Sequence, residues 1–273
     1  MSWQPIVVGV DASPEAAKAA AFAIGLAERA GTTCQVVHAA PDVLASAAVP
    51  AVGEALTVRI GTAPVVLKRA VAALGAELIV LGGKHHSALG RWFGGSTSLD
   101  LARTTEVPVL VTAGAPAAIR RVLVAVDQSG AARPTLAAAE RYAALFGAEL
   151  RALSVFEPLP VIPGVTQPYE TDEYYAMSEE LLTRDVWSLI RTPGVERIVR
   201  YGMAVNTILR EVSEWGADLL VVGSHGKGWA ERVLVGSVTE RLLNHLPTSL
   251  IVVPVRAAVV AEPSRANLAA AVA

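Results

Sequence analysis

Short unbroken runs of aliphatic residues, each followed by a longer Ala-rich stretch of helical period, set the rhythm of this chain. Ile6–Val10 opens the first such unit and Val122–Val126 a later one. A strand with one solvated face alternates apolar and polar residues, so unbroken runs predict strands buried on both faces of a parallel sheet. Ser13-Pro14-Glu15 then offers an N-cap, a proline at the first helical position and an early carboxylate, which predicts a helix reaching Ala30 and stopped by Gly31. The later unit predicts the same helix over roughly Ala131–Phe146, with Pro134 tolerable only in its first turn. Second strands are predicted at Cys34–Ala39 and Leu150–Phe156, and third strands at Val58–Ile60 and Arg197–Arg200. Helices at Val65–Leu74 and Asn206–Trp215 lead to fourth strands at Leu78–Leu81 and Leu219–Val222. Helices from Ser96 and Ser237 lead to last strands at Val109–Val111 and Leu250–Val253. Alternating strands and helices imply right-handed βαβ units, hence an α/β chain of two tandem, doubly wound, parallel five-stranded sheets of Rossmann-like type.

The chain is written twice. Val8-Gly9-Val10-Asp11-Ala12-Ser13 returns as Val124-Ala125-Val126-Asp127-Gln128-Ser129, and Gly31 returns as Gly147 at the same offset. Gly61, Gly75, Gly82 and Gly95-Ser96 return as Gly202, Gly216, Gly223 and Gly236-Ser237 at a longer one, so the second copy holds about 25 extra residues in one place. They fit a helix from about Tyr169 to Ile190, with Tyr174, Met177, Leu181, Leu182, Val186 and Leu189 on one face. The expected division is a first domain over 1–116, a second over 117–256 and a flexible Ala-rich tail over 257–273.

Composition narrows the class. The 273 residues suffice for two ordinary cores, and 53% apolar with 18% charged content describes a globular protein. A net charge of -2 without any Lys/Arg run gives no footprint for nucleic acid or an anionic membrane. No apolar stretch is long enough to span a bilayer and Met-Ser-Trp-Gln-Pro is no signal-peptide start, so the expected location is cytoplasmic. Cys34 is the single cysteine, read as a buried structural thiol.

The second copy carries the candidate chemistry. Gly223-Ser224-His225-Gly226, followed by Gly236-Ser237, fits Gly-x2-Gly-x9-Gly-Ser directly after a strand and ending at a helix start. Ligands of open parallel sheets sit beyond the carboxyl ends of the strands, where this loop lies. Gly223 and Gly226 let backbone approach a ligand closely. Gly236 and Ser237 combine free amides, a hydroxyl and a helix dipole, which suits a phosphate. Asp127 ends the first strand on the same edge, where a carboxylate meets a ribose hydroxyl or a base edge. Each residue also has a plainer reading. Ser237-Val238-Thr239-Glu240 is a capping box, and Asp127 with Ser129 caps a helix. The whole spacing in its strand and helix context outweighs those readings.

On these residues the chain resembles the universal stress protein family in a tandem form, over nearly all of residues 5–256 and most closely at Val124–Ser129 and Leu219–Pro254. The resemblance implies an adenine nucleotide alpha-hydrolase-like fold and, where Gly-x2-Gly-x9-Gly-Ser/Thr is intact, ATP binding. It implies that Asp127 and the backbone of Val155 meet the adenosine, that Val222 and Gly223 line the nucleoside, and that Gly226, Gly236, Ser237 and Val238 hold the phosphates. Mg2+ would accompany the triphosphate. The family pairs subunits through last strands, so the two halves are expected to pair inside one chain through Val109–Val111 and Leu250–Val253, with a homodimer of whole chains possible in addition. The expected function is nucleotide-dependent stress-response regulation. A slow ATP hydrolase or a nucleotide-free dimerisation scaffold is the alternative, and no residue in the motif is placed as a catalytic base.

The first copy departs from the motif: its middle glycine position is His85, or His86 in a shifted frame, which predicts a degenerate site. Lys84-His85-His86 reads as a solvated loop rather than a metal cluster. Lys227 and His225 are candidates for neutralising phosphate, and Trp92, Phe93 and Trp229 for lid or interface positions. His38, His245, Trp3, Trp187 and Trp215 read as structural, and Arg210, Glu211 and Glu214 as one solvated helix face.

Overall fold

In the computed structural model, which describes residues 2–42, 56–86, 91–93, 95–114, 118–158, 171–225 and 236–255, the apolar runs become strands of one ten-stranded sheet. The first half supplies β1 (Ile6–Val10), β2 (Cys34–Ala40), β3 (Leu56–Ile60) and β4 (Leu78–Gly82). A short hairpin, β5 (Lys84–His86) with β6 (Arg91–Phe93), precedes its last strand, β7 (Val109–Thr112). The second half supplies β8 (Arg121–Ala125), β9 (Glu149–Phe156), β10 (Glu196–Tyr201), β11 (Leu219–Gly223) and β12 (Ser249–Val253). The order is β10-β9-β8-β11-β12-β7-β4-β1-β2-β3, parallel within each half. Both predicted five-stranded sheets are therefore present, joined edge to edge. At the seam β12 and β7 run antiparallel, with Leu250, Ile251 and Val252 opposite Val111, Leu110 and Val109. Both strands are fully buried, and unpaired apolar edges of this kind would be sites of association.

Helices cover both faces. Alternation along β1 sends Ile6, Val8 and Val10 into one core and Val7 into the other. The first core receives α1 (Pro14–Ala30) and α4 (Ala132–Phe146). Ala16, Ala19, Ala20, Ala23 and Ala27 form the buried stripe of α1, and small side chains let the helix lie close on the sheet. Gly31 and Gly147, both at φ 64, end α1 and α4 in the left-handed conformation that the sequence assigned to glycine. The second core receives α2 (Ala63–Leu74), α3 (Gly95–Thr104), α6 (Ala204–Trp215) and α7 (Ser237–Asn244).

The extra residues of the second half include α5 (Thr171–Asp185), followed by a 3-10 turn at Trp187–Leu189. Its buried side is Ser178, Leu182, Val186 and Trp187, while Met177 is exposed, so the predicted face is rotated by one position. The solvated face predicted on α6 also needs correcting. Arg210 and Glu214 are exposed, but Glu211 is only 3% exposed. It pairs with Arg151 of β9 at 2.7 Å and Arg200 of β10 at 3.3 Å. The strands beneath α6 send these arginines up to it, and the Arg151 guanidinium also lies 4.4 Å from the Trp215 ring. Cys34 is half-buried rather than enclosed, and burial pushes its thiol up to about 11.

Across the halves, Arg141 of α4 forks onto Glu77 with both contacts at 2.8 Å and stacks 3.6 Å over the Trp3 ring. Trp187 is buried and His38 and His245 bond backbone carbonyls, as their structural readings require.

Candidate functional site

Strand order creates the cleft. From β8 the chain moves to β9 on one side and, later, to β11 on the other, so a crevice opens beyond the ends of β8 and β11. Val222 pairs with Ala125, which sets Gly223 beside Val126 and brings Asp127 to the rim. A Cβ added to Gly223 would lie 3.0 Å from Thr135 Oγ1, 3.1 Å from Ala131 Cβ and 3.2 Å from the His225 carbonyl. Only glycine lets this strand end pass so close to α4.

Asp127 is held in an Asx-type turn: Oδ1 accepts from the Ser129 amide at 3.0 Å and from its hydroxyl at 2.5 Å. Ser129 Oγ accepts in turn from the Ala131 amide at 3.2 Å. The turn does not cap α4, whose N-cap position is Ala131 without a side-chain bond. The carboxylate is thus aimed by its own loop.

Val155 presents backbone to the same space. Leu153 bonds toward β8 through the Val126 amide at 3.0 Å, whereas Phe156 bonds toward β10 through the Gly202 amide at 3.0 Å. Hydrogen-bonding direction alternates along a strand, so the N–H and C=O of Val155 point toward the β8 side, past the end of that strand.

The tip of α7 forms the opposite wall. Its N-cap is Gly236 and no side chain caps it. The helix starts at Ser237 as expected, and Ser237 is exposed as its first residue, so the plainer reading of Ser237 as the cap of this helix does not hold. The Gly236 amide donates to Ser224 O at 2.8 Å, and Gly236 O accepts from the Glu240 amide at 2.9 Å. Ser237, Val238 and Thr239 carry the first amides of the helix, which have no intrahelical acceptor and lie at the positive end of the helix dipole. Thr239 Oγ1 donates to Gly223 O at 2.7 Å and ties the tip to the end of β11. His225 Nδ1 lies 2.9 Å from Ser224 Oγ, which also accepts from the Val255 amide at 3.0 Å.

Together these elements enclose a cleft of about 380 Å³. Asp127, Val155, Val222, Gly223, Gly236, Ser237 and Val238 all line it. Gly226, Lys227 and Trp229 lie outside the described residues, as does the tail. Ser154, Phe156, Glu157 and Tyr174 also line the cleft and were not singled out in the sequence as site residues. Their signal was weak: Ser154 and Phe156 belong to a strand pattern, Glu157 follows its end, and Tyr174 reads as one residue of a helix face.

The sequence profile of the universal stress protein family matches residues 2–57, 43–113 and 118–254. The chain belongs to that family. A universal stress protein of Mycolicibacterium smegmatis is 33% identical over 186 residues, 65% of this chain and 62% of its own length. One of Mycobacterium tuberculosis is 30% identical over 187 residues, 65% of this chain and 61% of its own. The match therefore spans about three-fifths of the length of these relatives. A universal stress protein structure from Pseudomonas aeruginosa shares the fold with a TM-score of 0.66 at 19% identity, covering 93% of this chain and 94% of that one. One from Archaeoglobus fulgidus has a TM-score of 0.60 at 19% identity, covering 92% and 98%.

The first half of this universal stress protein has the corresponding cleft at about 140 Å³, lined by Asp11, Gly82, Lys84 and Ser96 among others. Asp11 repeats the turn of Asp127, bonded to the amide and hydroxyl of Ser13. Burial alone would raise its pKa, but those hydrogen bonds and the charge of Lys84 outweigh it and lower the carboxyl below its usual range. Behind it His38, the counterpart of Ser154, sets Nδ1 2.8 Å from Val10 O. Leu67 and Leu81 also close over Gly9, where a Cβ would lie 2.8 Å from each. The second half has Ala125 at that position and the smaller Val222 in place of Leu81.

Proposed function

We propose that the cleft of the second half binds an adenine nucleotide, ATP with its Mg2+, and that the protein acts as a nucleotide-dependent stress-response regulator. The observation that carries this reading is the tip of α7, where Gly236, Ser237, Val238 and Thr239, the N-cap and first turn of the helix, line one cleft together with Asp127. Amides at a helix tip receive a phosphate, and the fixed carboxylate takes the ribose hydroxyls. Backbone of Val155 meets the base, Val222 and Gly223 give the nucleoside a close floor, and Gly226 and Gly236 let the phosphate chain pass. Mg2+ enters on the phosphates; among the described residues no group of three His, Cys, Asp or Glu could hold a metal. Among the described residues no helix is long and apolar enough to cross a membrane, and the reading places the protein in the cytoplasm. Because β7 and β12 are spent on each other, whole chains that pair would do so through another surface.

Denaturing the purified protein and analysing the released small molecules tests the reading. Released ATP or ADP, or ATP binding by calorimetry after the protein has been stripped, is expected. Neither released nucleotide nor measurable binding would contradict it.

A further inference from the structure

The cleft does not end at the phosphate wall. Leu153 and Val155 belong to the face of β9 under α6, while Ala152 and Phe156 belong to the face under α4 and α5. Both Val155 and Ser154 line the cleft, and Gln128, Phe156 and Tyr174 line the same compartment. Ser154 is 1% exposed and its hydroxyl has no hydrogen-bond partner. A buried hydroxyl without a partner is costly, and such groups mark places where a ligand completes the bonding. Its counterpart His38 is satisfied by the Val10 carbonyl, so the open valence is particular to the second half.

Tyr174 comes from α5, which is fastened in place. Gln128 Nε2 donates to Ser178 O at 2.6 Å, the Tyr201 hydroxyl donates to Glu179, and the Tyr175 ring stands edge-on to Tyr201 at 4.5 Å. Glu157 is not free to serve the compartment with Oε1, which accepts from the Ala204 amide at 2.9 Å at the start of α6.

We infer that Ser154 and Tyr174 form the base subsite of this cleft: a flat heterocycle with a hydrogen-bonding edge lies against the Tyr174 ring and engages the Ser154 hydroxyl. The inference rests on the nucleotide reading above and makes the heterocycle the purine of that nucleotide. A hydroxyl both donates and accepts, so it can meet either a ring nitrogen or an exocyclic amine. An aromatic face beside it adds stacking, which every base offers.

The test titrates wild type, Ser154→Ala, Tyr174→Ala and Tyr174→Phe with Mg-ATP and with Mg-tripolyphosphate, which has no base. Tyr174→Ala is expected to weaken ATP about tenfold. Ser154→Ala is expected to weaken it about fivefold. Tyr174→Phe keeps the ring and the affinity, and tripolyphosphate binds all four proteins alike. Ser154→Ala removes a single buried oxygen and should melt no lower than wild type, which separates binding from folding. Wild-type ATP binding with unchanged affinity in both alanine variants overturns the subsite and leaves the nucleotide reading standing. Equal losses for ATP and tripolyphosphate make the residues structural and also overturn it. A wild-type protein that binds neither probe overturns both.

Discussion

At the end of β2 the first half carries His38, and at the end of β9 the second half carries Ser154. His38 pairs with Val10 at the end of β1 and Ser154 follows Leu153, the partner of Ala125 at the end of β8, yet one cleft is about 140 Å³ and the other about 380 Å³. A similar contrast lies on the other face. Gln35 Nε2 bonds Thr57 Oγ1 at 2.9 Å in the first half, where the second has the charged group of Arg151, Arg200 and Glu211. The shared plan is held by strand runs and helix stripes common to both copies. What separates them sits at a few positions above the strand ends, where side chains either reach backbone carbonyls or leave the space open.

The largest expected effect comes from Gly236→Glu, which sets a carboxylate at the phosphate end of the open cleft. Nucleotide affinity should fall by about a thousandfold, about 4 kcal/mol, with an unchanged melting curve. Gly95→Glu, at the matching position, should leave ATP affinity as it was; an equal loss there would mean the halves do not differ in the way argued. Next comes Glu211→Ala, which leaves Arg200 unpaired and strips Arg151 of a buried partner. Denaturant unfolding should show a loss of about 3 kcal/mol, against about 1 kcal/mol for Gln35→Ala in the first half.

Ser154→His gives the second half the residue that the first half carries at the matching position. The imidazole can reach the Val126 carbonyl as His38 reaches that of Val10, and ATP affinity should fall about tenfold by calorimetry. The smallest effect concerns acid. The Asp11 carboxyl is held below its unfolded value, so its contribution is present above the ordinary aspartate range and is lost as pH falls through the folded pKa. Asp11→Asn should therefore flatten the decline in stability between about pH 5 and about pH 2, measured by unfolding at each pH.

Much of this was legible in the chain. Buried parallel strands must be apolar on both faces, so the central strands β1, β4, β7, β8, β11 and β12 stood out as runs, whereas the edge strands β3 and β10 carry charged residues; Gly31 and Gly147 marked helix ends because a left-handed cap favours glycine. The glycine spacing located the α7 tip, although the cap fell one residue earlier than Ser237. Other features depend on contacts between distant segments. Glu211 reads as surface until the strands carrying Arg151 and Arg200 are laid beneath it. Ser154 reads as a tolerated polar residue in an apolar strand until its hydroxyl is found without a partner. The hairpin of Lys84–His86 with Arg91–Phe93 is too short and polar for any periodicity to reveal it.

Titrating nucleotide-free protein with Mg-ATP while counting bound molecules by native mass spectrometry puts the difference between the halves to its most direct test. One ATP per chain, lost in Gly236→Glu and kept in Gly95→Glu, is the expected result. Two equivalent molecules per chain, or none, would contradict it.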